Sequence, residues 1–271
     1  MSDRVDEVRF THVGGPTTLL EVGGWTILVD PTFDPPGRRY SFGWGTASTK
    51  EVGPAIAVED LPPIDVVLVS HDHHADNLDD AGRALLPGAH WLLTTVPGAR
   101  RLQADGCAHA EGLAAWDTKV LDAEGKTTIR VTATPCRHGP VASYPIVGQV
   151  IGFALEWEGQ EHGCVWISGD TVDFPPLHEV PTRLDVGTAI LHLGGVQFGI
   201  TGPIHYTWTA ADGLAFATEL DARTIVPVHF EGWSHFKDGP PQLEAAIAAS
   251  TPAVRDAVVH PAIGTPIDLA V

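Results

Sequence analysis

The sequence is poor in positive charge, in cysteine and in long apolar runs, and each shortage removes a class of function. Only 16 of the 271 residues are Lys or Arg against 34 Asp or Glu, a formal net charge of −18. A field of that sign repels phosphate backbones and anionic membrane surfaces, so neither nucleic acid nor a membrane is expected as a partner. The 3 cysteines, Cys107, Cys136 and Cys164, are widely spaced and odd in number. That argues against a disulfide framework and fits a reducing cytoplasm. No run of about 18 uninterrupted apolar residues is present to span a bilayer. The start, "MSDRVDEVRF", lacks the basic-then-apolar order of a secretory signal, and a cytoplasmic location is expected.

What is present is a globular composition, 44% hydrophobic and 18% charged, long enough to bury a sizeable core. The 22 prolines and 29 glycines are spread along the chain, which indicates many tight turns and no long linker. "VRFTHV", "TTLLEV" and "WTILVD" read as short strands separated by glycine punctuation. Residues 31–63 read as a long irregular loop with "RRYSFGWG" at its tip. "IDVVLV" is of buried-strand type, "NLDDAGRALL" has helical spacing, "HWLLTT" is a strand and "PGARRLQAD" a short helix. The second half repeats the alternation with strands "TTIRVTAT", "VIGFALEW", "CVWIS", "TAILHL" and "TIVPV". Helices are predicted over "TWTAADGLAFATEL", capped by Thr207 or Thr209, and over "PPQLEAAIAAS". Strands first and helices after in each half predict two sheets packed face to face with helices outside. No composition break divides the chain, so residues 1–271 are expected to form one domain.

Chemistry concentrates in Ser70 to Asp79, "SHDHHADNLD", which holds three histidines and three aspartates. Other candidates also fall just after predicted strands: His138 after "RVTATPCR", Asp170 after "CVWISG" and His229 after "TIVPV". Strand ends in layered α/β proteins converge on one rim, where loops can be shaped without disturbing the core. Imidazole and carboxylate suit zinc, iron or manganese. If the segment leaves its strand extended, His71 and His73 point the same way and can grip one ion. Asp76 could reach a neighbouring ion or orient a water, and Asp170 has two oxygens with which to bridge two ions. A lone His after a strand is more often a hydrogen-bonded surface or core residue, and His90, His109, His162, His178 and His260 are read that way.

Together these motifs resemble the metallo-β-lactamase superfamily, whose pattern is H-x-H-x-D-H after a strand, then a His, a bridging Asp and a final His. The counterparts are "SHDHHAD", "TPCRHGP" with His138, "ISGDT" with Asp170 and "IVPVHF" with His229. "WTILVDPTFD", "SHDH…LD" and the "TP.RH" motif are most similar to the branch holding L-ascorbate-6-phosphate lactonase and N-acyl-phosphatidylethanolamine phospholipase D type enzymes. The resemblance implies an α/β (α+β) fold, a four-layered αβ/βα sandwich. It also implies one or two divalent transition-metal ions per chain, with zinc first and manganese or iron as alternatives. A metal-bound hydroxide, held by Asp76, would hydrolyse a small-molecule ester, lactone or phosphodiester. A metal-binding protein with a degraded site, or a nuclease of the same superfamily, are the alternatives; the net charge opposes the nuclease.

The chain departs from the pattern at two points. Asn77 stands where the motif has its last histidine, and one extra residue lies between His73 and Asp76. Anchored on the strand, His71 and His73 are the metal pair and His74 is the insertion. Anchored on "DNLD", the matching positions are Asp72, His74, Asp76 and Asn77. His74 therefore competes with His73, and forms with one metal or two are both open. For the substrate, His205 in "GPIHYTW" is a candidate catalytic residue or a helix-entry cap. Trp44, Trp233 and His235 are candidate pocket walls, with Tyr40 beside them. Arg38 and Arg39 could meet an anion or lie solvated. Cys136 is read as a small apolar residue rather than a thiolate ligand.

Overall fold

Runs of alternating inward and outward residues build the scaffold. The computed structural model describes residues 5–43 and 45–271. The chain lays down β1 (Glu7–Gly14), β2 (Thr17–Val22), β3 (Trp25–Val29), β4 (Arg39–Gly43), β5 (Thr46–Thr49), β6 (Val66–Leu68), α1 (Asp80–Leu85), β7 (Trp91–Thr95), α2 (Val96–Ala104), β8 (Ala110–Leu113) and β9 (Thr118–Leu121). It continues through β10 (Ile129–Pro135), α3 (Tyr144–Val147), β11 (Ile151–Trp157), β12 (Cys164–Ile167), α4 (Val180–Arg183), β13 (Val186–His192), α5 (Ala210–Leu220), β14 (Thr224–Val228), α6 (Pro240–Ala249), α7 (Pro252–Ala257) and β15 (Ile267–Ala270).

A seven-stranded sheet has the order β15-β1-β2-β3-β6-β7-β8, and a six-stranded sheet the order β14-β13-β12-β11-β10-β9. Both are mixed in the same way. β15 to β3 pair antiparallel and β3, β6, β7 and β8 parallel. β9 to β12 pair antiparallel and β12, β13 and β14 parallel. The parallel strands β6, β12, β13 and β14, together with the antiparallel β10, carry the polar loops at their ends.

Period-2 patterning decides the layers. Ile27, Val29, Val66 and Leu68 of the first sheet pack against Phe153, Leu155, Ile190 and Val226 of the second in one shared core. The intervening residues Leu28 and Val67 face outward to Leu78, Leu86, Ala99 and Leu102, which line the helical side. On the far side Ala189 and Leu191 meet Leu214, Ala217 and Leu220 of α5 and Leu243 of α6. The result is the expected sequence of helix, sheet, sheet and helix layers. A one-residue slip in any of these strands would turn its core face outward, so the register is firmly set. Among the described residues no helix is long and apolar enough to cross a membrane.

The predicted loop over 31–63 is more ordered than expected, because β4 and β5 form an antiparallel hairpin. Tyr40 and Phe42 alternate inward from it and pack with Trp233. Arg38 does not await an anion: it pairs with Asp34 at 3.1 Å and Asp80 at 2.5 Å. The loop after β3 is pinned to α1 by Asp79, which accepts from the backbone N–H groups of Phe33, Asp34 and Gly82. Lys50, also buried, donates to Asp79 at 2.9 Å. Thr209 caps α5, accepting from the Asp212 N–H in a capping box; of the two threonines read as candidate caps, it is the one that serves.

Candidate metal centre

Residues at or just beyond the ends of β6, β10, β12, β13 and β14 meet at the seam between the two sheets. The segment after β6 does not stay extended. The Asn77 and Leu78 N–H groups both donate to the His74 carbonyl, so the chain coils into a turn. Before that turn the chain bends at Asp72 and His73, which sets His71 and His74 side by side, and His138 joins them from the end of β10. One nitrogen from each of the three buried rings lies within 4.8 Å of the others. His73 is not of this group. Its Nε2 lies against the Val147 carbonyl, in space left by Gly148, where an added Cβ would fall 2.6 Å from the ring. The expectation that His71 and His73 pair rested on an extended chain; the bend at Asp72 and His73 groups His71 with His74 instead.

A second group joins Asp170, His192 and His229, all fully buried. Asp170 Oδ1 lies 3.0 Å from His192 Nδ1 and 3.1 Å from His229 Nδ1. Its Oδ2 is 4.0 Å from His138 Nε2, so this carboxylate stands between the two groups, as a bridging residue would. Asp76 Oδ2 lies 3.9 Å from His229 Nε2 and accepts from His235 Nε2 at 2.9 Å. Asn77 fills the last motif position, with its amide nitrogen 3.5 Å from Asp30 Oδ2. His192 was not singled out in the sequence. A single histidine inside the apolar run "TAILHL" carries no motif, and its only signal is its place at a strand end.

The donors fit a metal on three grounds. His71 Nε2, His74 Nε2, Asp76 Oδ1, Asp170 Oδ2, His192 Nε2 and both His229 nitrogens are buried without a hydrogen-bond partner. Orphaned buried polar atoms are costly and call for a missing partner. Burial, reinforced by neighbouring imidazoles, holds His71 well below the ordinary histidine range, and His74 and His229 are lowered chiefly by burial too. They are therefore neutral and present lone pairs. Burial pushes Asp170 upward, so its anion needs a nearby cation to be stable. Outer contacts fix the rings. Tyr206 O can only accept, so His138 Nδ1–H donates to it at 2.7 Å and leaves the lone pair on Nε2, 3.2 Å from His74 Nδ1, facing the group. Backbone strain marks the same place. Asp30 (φ 42°) and His229 (φ 57°) are held in the left-handed region, which side chains other than glycine seldom adopt.

Beside these donors opens a cavity of about 250 Å³. His74, Asp76, His138 and His235 reach it, and its walls are mostly apolar, with Phe42, Ile146, Val196, Phe198 and Tyr206 prominent. Among the described residues no Arg or Lys lines it. His235, one of the candidate pocket walls, lines the cavity. Trp233 does not: it is packed behind, against Tyr40 and Phe42. His205 is exposed and outside the lining, because adjacent residues of an extended segment face opposite ways and Tyr206 takes the inward one. Trp44 lies outside the described residues. The Cys136 thiol donates to the Asp170 carbonyl and is pushed up by burial, so it stays a neutral packing group.

Comparison with known proteins agrees with this architecture. Residues 25–230 match the family model of the β-lactamase superfamily domain. A UPF0173 metal-dependent hydrolase of Oenococcus oeni is 29% identical over 241 residues, covering 86% of this chain and 90% of the relative. Among solved structures, an isothiocyanate hydrolase from Delia radicum gut bacteria has a TM-score of 0.77 at 20% identity, covering 97% of this chain and 99% of that one. Igni18, a metallo hydrolase of Ignicoccus hospitalis, has a TM-score of 0.72 at 20% identity, covering 98% and 99%. At such identities the structural matches establish the fold, which is that of the metallo-β-lactamases.

Proposed function

Because the chain belongs to the β-lactamase superfamily domain family and is a metal-dependent hydrolase, we propose that it cleaves an ester or lactone bond in a small, largely apolar molecule. The observation that carries this reading is the cavity. Its apolar walls open onto His74, Asp76 and His138, and among the described residues no Arg or Lys reaches it to meet a phosphate. An uncharged acyl or lactone group loses little on entering such a space, whereas a phosphodiester would rely on the metal alone. Zinc is the proposed ion, since three imidazoles with one open position suit it. Within the family the reading extends to the lactonase branch, supported by "WTILVDPTFD" and by the "TPCRH" motif.

His71, His74 and His138 would hold one ion, and Asp170 would face a second through its other oxygen. A bound divalent cation supplies Lewis acidity toward a carbonyl oxygen and acidifies water to near ~7. The chain's own groups do the rest. His235 is tied to Ser48 through Nδ1 at 2.5 Å and donates from Nε2 to Asp76 Oδ2. That leaves Asp76 Oδ1, which has no protein partner, to accept a hydrogen bond from water and orient it. Phe42, Phe198 and Tyr206 exclude solvent around the scissile bond and hold the apolar part of the substrate.

Turnover by zinc-loaded protein of esters and lactones of increasing acyl length, set against phosphodiesters, tests the proposal. Esters or lactones with apolar acyl groups should be cleaved fastest, and Val196→Arg should raise KM at least ~10-fold with a smaller effect on kcat. Faster cleavage of phosphodiesters, or none of any acyl substrate, would refute it.

A further inference from the structure

The loop after β6 offers an amide at Asn77, fully buried, where the superfamily pattern has an imidazole. An amide oxygen is a poorer donor than imidazole for zinc. Across the seam, however, β13 ends in a histidine that the motif does not contain. β13 and β14 run parallel with His192 opposite Val228, which sets His192 beside His229. Their rings are 5.2 Å apart, and each places Nδ1 about one ligand spacing from the same Asp170 oxygen, at 3.0 and 3.1 Å. For His229 this approach lacks hydrogen-bond geometry, and Nδ1 counts as unpartnered. His192 Nδ1 does meet hydrogen-bond geometry to that oxygen, while its Nε2 is unpartnered. Donors around a tetrahedral zinc with bonds of ~2.0–2.1 Å stand roughly 3.3 Å apart, so a shared cation accounts for the His229 approach, where a hydrogen bond does not. His192 is fully buried and outside the cavity lining, which leaves it no contact with substrate.

We infer that His192 supplies the imidazole that position 77 lacks, and that Asp170, His192 and His229 together form the second metal site. The inference rests on the metal-dependent reading above. It differs from a role in which His192 only donates Nδ1–H to Asp170 and orients that carboxylate.

Metal content separates the two. Wild type, His192→Gln, His192→Ala and His192→Ala/Asn77→His are saturated with zinc, gel-filtered and analysed for zinc per chain, with circular dichroism to verify folding. Wild type should carry about two ions, both single variants about one, and the double variant should return toward two. Gln keeps a donor for Asp170 without an imidazole, and it also serves if the alanine variant fails to fold. His192→Gln binding as much zinc as wild type, or wild type binding only one ion, would overturn the inference. A double variant still at one ion would overturn the exchange between the two positions. Wild type free of zinc would overturn the underlying metal reading as well.

Discussion

Which imidazole of an adjacent pair meets a metal depends on a single bend of the backbone, here at Asp72 and His73. Each of the two has an unpartnered buried nitrogen, but His74 groups with His71 and His138, while His73 lies outside that group with Nε2 against the Val147 carbonyl. His74→Ala should therefore weaken metal binding at least ~100-fold, more than loss of an outer hydrogen bond does, whereas His73→Ala should leave it within a few fold. Equilibrium dialysis against zinc measures both. The density of ligands in "SHDHHADNLD" was legible in the sequence, but the choice between neighbours was not, because alternation holds only while the chain stays extended. His12 sets a pH dependence of its own. Burial lowers it from 6.5 to about 4 despite its hydrogen bond to Gly15. The unfolded chain then binds the extra proton first, so stability is full above pH ~6.5, falls as the pH drops toward ~4, and levels off below. One residue with that shift is worth about 3 kcal/mol across the window. Urea unfolding at pH 7 and pH 4.5 should show a shallower loss for His12→Gln than for wild type; parallel losses would contradict it.

At the scale of elements, Asp79 is the joint between the β3 loop and α1. It accepts three backbone N–H groups as well as the buried Lys50 ammonium. Removing one partner of a buried ion pair generally costs 3–5 kcal/mol, on the order of several hydrogen bonds. The three remaining donors still satisfy Asp79, so Lys50→Met should cost toward the lower end, about 3 kcal/mol, and Asp79→Ala more. Gly82→Ala should also destabilise strongly, since its Cβ would lie 1.9 Å from the Pro31 carbonyl oxygen. Denaturant midpoints for the three variants check the order. Most core strands and the longer helices were legible because their apolar residues recur at period 2 or 3.6. The β4–β5 hairpin was hidden by glycine and proline around it, although Tyr40 and Phe42 do alternate with exposed neighbours. β8, β9 and β15 are four-residue strands at or near sheet edges with polar residues among them, too short to show a period.

At the scale of the molecule, the candidate centre joins the two sheets: His71, His74 and Asp76 follow β6 of one, while His138, Asp170, His192 and His229 end strands of the other. A ligand that binds only the folded chain stabilises it by about 4 kcal/mol at a thousandfold excess over its Kd. Chelation should accordingly lower Tm by several degrees, and adding zinc back should restore it; a Tm indifferent to chelator would contradict a seam held by metal. The layered arrangement was legible from the repeated order of strands and helices, and most strand-end donors from their position. The partner for Asp170 on β13 was not, because only the folded sheet places His192 beside His229. The most direct test of the whole account is an anomalous-difference map from crystals of the zinc-loaded protein. A peak should lie among His71, His74 and His138, with His73 away from it. Density confined to surface residues, or a peak held by His73 in place of His74, would contradict the account.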